Sequence, residues 1–165
     1  MRALARVVAL VMLPMVGLAA CDDRPSDAAP SAAYDTSAAS NAKFLADYAA
    51  RPDAKKTASG LMYRVIKSGN GPAVIRDSDV VTVFYKGMLI NGKVFDQTKE
   101  EPATFPAGAL IPGWVEALKL MKTGDSWEIA LPPDLAYGAE GAGDSIPPDQ
   151  ALVFTMTLVK VEYAN

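Results

Sequence analysis

The sequence predicts an α+β domain built from several antiparallel strands and one short internal helix. Runs rich in β-branched and aromatic residues recur through its second half, with partial alternation of apolar and polar positions. An Asn-Gly pair divides two of these runs. One stretch alone among them places its apolar residues at helical spacing.

Taken in order, "NAKFLADYAARPD" (41–53) predicts a short amphipathic helix. Phe44, Leu45 and Tyr48 share one side, and Pro52 ends it. So few apolar turns favour docking onto the main domain over a membrane or dimer contact. Strands are expected in "GLMYRVIKSG" (60–69), "DVVTVFYKGML" (79–89), "DSWEIALP" (125–132) and "LVFTMTLVKVE" (152–162). In "MLINGKVFD", Asn91-Gly92 between two strand-like runs predicts a type I′ hairpin. "GWVEALKLMKTG" (113–124) reads as the internal helix, with Trp114, Val115, Leu118 and Met121 on its apolar side and Gly124 as its stop. Polar strand positions predict one solvated sheet face and one face packed on that helix.

The 165 residues are 50% hydrophobic and 21% charged, enough for one domain with a core. A net charge of −3 without any run of Lys or Arg argues against nucleic-acid binding. Histidine is absent, which removes His-based triads, His metal sites and the imidazole proton shuttle. The single cysteine cannot form an intrachain disulfide. No metal and no cofactor are expected.

The chain opens "MRALARVVALVMLPMVGLAAC". Arg2 and Arg6 precede the apolar stretch Val7–Ala20, which is too short to span a bilayer and fits a signal peptide over residues 1–20. "LAAC" resembles the bacterial lipobox, which makes Cys21 the expected lipidated residue of the mature chain. The following "DDRPSDAAPSAAYDTSAAS" has Tyr34 as its one large apolar group and reads as a flexible tether over 21–40, reaching roughly 25 Å. A short helix and linker over 41–57 and a domain over 58–163 complete the expected organisation.

Several weak motifs carry no chemistry. Ser40-Asn41-Ala42-Lys43 lies in the tether, and "GAEGAG" (138–143) lacks both a following Gly-Lys-Ser/Thr and a helix. Asp134, Glu140, Asp144 and Asp149 have no ligand spacing and read as solvated charges. What stands out is aromatic: Tyr85, Phe95, Phe105, Trp114, Trp127, Tyr137 and Phe154. They read either as core or as the lining of a site, with Trp127 assigned to the core. Tyr137 sits in the glycine- and proline-rich loop "PPDLAYGAEGAGDSIPPDQ" (132–150), where it either plugs the loop onto the core or offers its hydroxyl to a ligand.

"VFYKGML", "GKVFD", "PATF", "ALIPGWVEALKLMKTGDSWEIALPPDLAYG", "SIPP" and "LVFTMTLVKVE", in this order, resemble the FKBP-type peptidyl-prolyl isomerases over about residues 58–163. Bacterial envelope enzymes of the macrophage-infectivity-potentiator type are the nearest in pattern. The resemblance implies a five- or six-stranded antiparallel sheet wrapped around one short helix, with proline bound between them. It implies Trp114 as the pocket floor, Tyr85, Phe95 and Phe154 as walls, Leu110 and Ile111 on the rim, and Phe105 lining the pocket or packing beside it. Tyr137 is implied as a hydroxyl donor, the Ile111 N–H as a second donor, and Ile146 as a rim residue. Asp96 is implied either to hold Tyr85 by a hydrogen bond or to polarise the twisted amide.

The implied activity is isomerisation of Xaa-Pro bonds in envelope proteins, with rapamycin-type macrolides as inhibitors. The alternative is a lipid-anchored chaperone or adaptor using the same cleft without catalysis. The segment between Asp96 and Pro102, "QTKEE", is shorter than is common in the family, and long N-terminal dimerisation helices are missing, so a monomer is expected. Its expected location is the cell envelope, lipid-anchored and facing the periplasm.

Overall fold

The computed structural model describes residues 30–164; the signal-peptide reading, Cys21 and the first part of the tether lie outside them. The chain forms α1 (Ala38–Ala49), β1 (Lys55–Lys56), β2 (Met62–Lys67), β3 (Val80–Leu89), β4 (Val94–Gln97), β5 (Ala103–Pro106), α2 (Pro112–Leu120), β6 (Ser126–Leu131) and β7 (Leu152–Glu162). All strands join one antiparallel sheet in the order β1-β2-β6-β7-β3-β4, with β5 also on β3. The seventh strand, beyond the five or six expected, is the two-residue β1. Two exposed lysines carry no alternation by which to recognise it.

The spine is the β3–β7 pair, registered from Val80↔Glu162 to Leu89↔Leu152 with one bulge after Thr82. On its far edge β3 receives two short strands, β5 against Val80–Val83 and β4 against Lys86–Met88. Between them Thr98 takes over the pairing, exchanging backbone hydrogen bonds of its N–H and hydroxyl with Tyr85.

The turn joining β3 to β4 differs from the expected type I′. Asn91 is not in the left-handed region, whereas Gly92 is, at φ +85°. The Gly92 N–H donates to Leu89 O, the Leu89 N–H to Lys93 O, and the Lys93 N–H to the Asn91 side-chain oxygen. This is the three-residue hairpin loop in which an ordinary turn is followed by a left-handed glycine. Asn-Gly suits both turns, so the pair alone cannot choose between them.

Helix α2 starts at Pro112, where a missing N–H costs nothing. It ends at Leu120, earlier than the Gly124 stop. Met121 is extended, and Asp125 closes the next turn by accepting the Lys122 and Gly69 N–H groups. Trp114, Ala117, Leu118 and Met121 bury against Leu61, Val81, Val83, Ile129, Leu131, Phe154 and Met156 on the inner face of the sheet.

The outer face is not left to solvent as expected. At one end of the sheet, Phe44 and Tyr48 of α1, both 0% exposed, pack with Met62, Ile90, Ala130, Ala151 and Val153. Consequently β6 is buried from Trp127 to Leu131, with Ile129 and Leu131 facing α2 and Ala130 facing α1. Glu128 is the charged member of that run. It accepts from Arg64 Nε at 2.9 Å and Arg51 Nη1 at 3.4 Å, while its carbonyl accepts the Tyr48 hydroxyl. These bonds pin the C-terminal end of α1 to β2 and β6.

Residues 30–37 also depart from the tether reading. Ser31 N–H donates to Ile90 O, and buried Tyr34 meets Phe44 edge-on at 5.3 Å while its hydroxyl donates to Asp47. Ser37 caps α1, so the helix begins before Asn41 and ends before Pro52. A lone tyrosine among small residues looked insufficient to order a segment, but the domain supplies the other half of its pocket.

Phe44→Ala is expected to cost about 3–5 kcal/mol, as for other fully buried aromatics. Urea unfolding of the full chain checks this. A loss below about 1 kcal/mol would show that α1 is not part of the cooperative core.

Candidate functional site

A cavity of about 320 Å³ opens between the inner sheet face and α2. It is lined by Tyr85 of β3, Phe95 and Asp96 of β4, Phe105 of β5, Ala109, Leu110 and Ile111 before α2, Trp114 of α2, Tyr137 of the 132–150 loop and Phe154 of β7. Trp114 is 4% exposed and is the hub of the rings. It meets Tyr85 at 5.1 Å and Phe154 at 5.2 Å, both nearly perpendicular, and Phe105 at 6.4 Å. Phe95 stands edge-on to Phe154 at 5.5 Å. Perpendicular aromatic pairs are the electrostatically favoured ones, so the lining fixes its own shape.

Gly87 makes this arrangement possible. It lies opposite both Asp96 and Phe154 in register. A Cβ there would fall 2.6 Å from Phe95 Cζ and 2.7 Å from Phe154 Cε1. Any side chain would push the two rings apart.

The polar groups gather at the edge. The Tyr85 hydroxyl donates to Asp96 Oδ2 at 2.6 Å. Burial pushes its pKa up to about 12, helped by that bond and by the Asp96 charge. Tyr137 is 39% exposed; burial raises its pKa, and the Asp96 charge adds to the rise. The Ile111 carbonyl accepts the Trp114 and Val115 N–H groups at the start of α2, while its own N–H has no acceptor among the described residues. The Trp114 Nε1–H also has none. The site therefore offers an aromatic floor, N–H and O–H donors, and one carboxylate committed to a tyrosine. Among the described residues no cluster of His, Cys, Asp or Glu could hold a metal ion.

Of the residues singled out in the sequence, Tyr85, Phe95, Asp96, Phe105, Leu110, Ile111, Trp114, Tyr137 and Phe154 come together here. Phe105 faces the cavity rather than packing behind it. Ile146 does not join them. Its N–H and C=O pair with Ala142, and its side chain, 4% exposed, belongs to the core. Ala109 and Gly87 went unnoticed because small residues carry no chemical signal of their own. Trp127 lies in the core as expected, stacked on Tyr63 at 4.4 Å. Cys21 lies outside the described residues.

An antiparallel sheet packed over one internal helix, with an aromatic pocket between them, defines an α+β domain with a small apolar cleft. The chain belongs to the FKBP-type peptidyl-prolyl cis-trans isomerase family, whose model matches residues 71–159. A domain amino-terminal to FKBP-type peptidyl-prolyl isomerases matches residues 19–65, so the segment read as tether and linker also has family counterparts. The FKBP-type 22 kDa peptidyl-prolyl cis-trans isomerase of Escherichia coli is 44% identical over 82% of this chain and 66% of its own length. The outer membrane protein MIP of Legionella longbeachae is 45% identical over 73% and 52%. Among solved structures, FkpA of Escherichia coli aligns with TM-score 0.73 at 41% identity, covering 77% of this chain and 60% of that one. A peptidyl-prolyl cis-trans isomerase of Pseudomonas syringae aligns with TM-score 0.72 at 39% identity, covering 76% and 92%. The chain spans between 44% and 66% of the length of the first curated relatives it matches.

The Tyr85 pKa raised from 10.0 to about 12 means that folding holds the neutral hydroxyl. Its stabilisation is complete below pH about 10 and is lost as pH rises toward about 12. Tyr85→Phe is expected to flatten part of that alkaline decline in urea midpoints. An equally steep decline in the variant would show that Tyr85 contributes nothing to it.

Proposed function

We propose that this chain catalyses cis–trans isomerisation of Xaa-Pro bonds in envelope proteins, as a lipid-anchored monomer facing the periplasm. The aromatic pocket floored by Trp114, with the free Ile111 N–H and the Tyr137 hydroxyl nearby, carries this reading. The relatives' names as peptidyl-prolyl cis-trans isomerases support it.

Rotation about an Xaa-Pro bond meets a barrier of about 18–20 kcal/mol because nitrogen donates its lone pair into the carbonyl. No covalent bond is made or broken, so neither nucleophile, metal nor proton shuttle is needed. Water stabilises the planar, charge-separated amide. Placing the proline ring on Trp114, between Phe95, Phe154 and Tyr85, withdraws that water and narrows the gap to the twisted form, in which the donation is lost. Each tenfold in rate requires about 1.4 kcal/mol of such differential stabilisation. Donors from Ile111 and Tyr137 would hold flanking peptide carbonyls so that the prolyl bond alone turns. Asp96 acts by fixing the Tyr85 wall through their 2.6 Å hydrogen bond.

The apolar side of α1 is consumed within the domain, which supports a monomer. The leader ending at Cys21 and a relative named as an outer membrane protein support an anchored envelope location. Among the described residues no helix is long and apolar enough to cross a membrane.

A protease-coupled assay on the full chain in detergent tests the activity. Catalysis abolished by rapamycin is expected, with Tyr137→Phe lowering kcat/KM about fivefold for one lost hydrogen bond. Drug binding without catalysis would make the protein an adaptor on the isomerase fold; absence of both catalysis and drug binding would overturn the pocket assignment.

Cys21→Ala is expected to move the protein from the membrane to the soluble fraction of cells. Unchanged membrane association would refute the anchor.

A further inference from the structure

Helix α1 and the loop that carries Tyr137 share one buried hydrogen-bond network. Asn41, 4% exposed on α1, accepts the Ala151 N–H on its side-chain oxygen at 2.8 Å. Its amide nitrogen donates to Ser37 O at 2.8 Å and reaches Gln150 Oε1 at 3.4 Å. Gln150, 5% exposed, returns the tie by donating to Thr36 O and to Pro148 O, both at 3.0 Å. Between Pro148 and Gln150 stands Asp149 at φ +57°, the one non-glycine among the described residues in the left-handed region. Such a conformation persists where the surroundings hold it. The Asp149 N–H then donates to Gly138 O at 2.9 Å, next to Tyr137. The end of the loop is thus fastened to α1, and its beginning to its end.

We propose that Asn41 is a positioning residue for Tyr137, setting the height of its hydroxyl over the pocket through Ala151, Asp149 and Gly138. This rests on the isomerase reading above and assigns part of that activity to residues outside the pocket. Ala151 is 0% exposed, so without Asn41 its N–H loses its acceptor where water cannot replace it. The foot of the loop then rearranges to find a new partner, and the strained Asp149 relaxes with it.

A double-mutant cycle on the full chain separates positioning from general destabilisation. Asn41→Ala is expected to lower kcat/KM about fivefold, and in a Tyr137→Phe background to lower it no further. Multiplicative losses in the double variant, or wild-type kcat/KM in Asn41→Ala, would overturn the proposal. Amide hydrogen exchange read by NMR gives a test independent of catalysis. The Asp149 amide exchanges faster in Asn41→Ala. Unchanged Asp149 exchange in Asn41→Ala refutes the coupling, even if the chain proves catalytically silent.

Discussion

The long antiparallel pairing of β3 with β7 holds the pocket together, because each strand brings ring-bearing residues to the same inner face. Tyr85 and Phe154 come from this pair, and Gly87, directly opposite Phe154, leaves the gap their neighbours fill. The edge of β3 is then divided between β4 and β5, which bring Phe95, Asp96 and Phe105 to the same cavity. Trp114 rises from α2 into the ring of aromatics and closes the floor. A slip of one residue in the β3–β7 register would turn Phe154 to the face opposite Tyr85 and dissolve the cavity.

Burial on both sides of the sheet makes this platform stiff. The inner face is packed by α2 and the outer face, at one end, by α1 with Tyr34. Strand β6 lies between the two helices, and its one buried carboxylate is matched by two arginines, one following α1 and one on β2. A buried, paired charge of this kind adds little net stability, but it discriminates against displaced packings in which the charge would be alone. The N-terminal segment meets the β3–β4 turn through Ser31 and the foot of the Tyr137 loop through Asn41.

The chemical simplicity of the site agrees with the reaction proposed for it. A chain with no histidine and one cysteine has few routes to covalent or acid–base catalysis. Its pocket places the carboxylate of Asp96 in a hydrogen bond to Tyr85 and leaves donors on Tyr137 and Ile111. Shape, dryness and a few donors are sufficient for a reaction whose barrier is internal rotation.

Much of this was legible in the residue pattern. The strand runs and the internal helix were visible because β-branched alternation and helical spacing are local properties. Nine lining residues were visible once the order of segments marked the family. The signals failed where hydrogen bonds and packing, rather than residue type, made the decision. Asn91-Gly92 is compatible with two turn types, and hydrogen bonds among Leu89, Gly92 and Lys93 selected one. Ile146, a rim residue by the resemblance, is buried in the core cluster and does not line the cavity. Ala109 and Gly87 gained importance from what surrounds them. Tyr34 and Asn41, read as parts of a tether and a dismissed motif, became buried because the domain had an apolar face and a free Ala151 N–H to offer. By itself, the sequence determined the periodicities, the aromatic inventory and the family. The tertiary structure decided which of those groups share a cavity and what holds it open, since close packing and buried hydrogen bonds depend on partners that only the fold brings within reach.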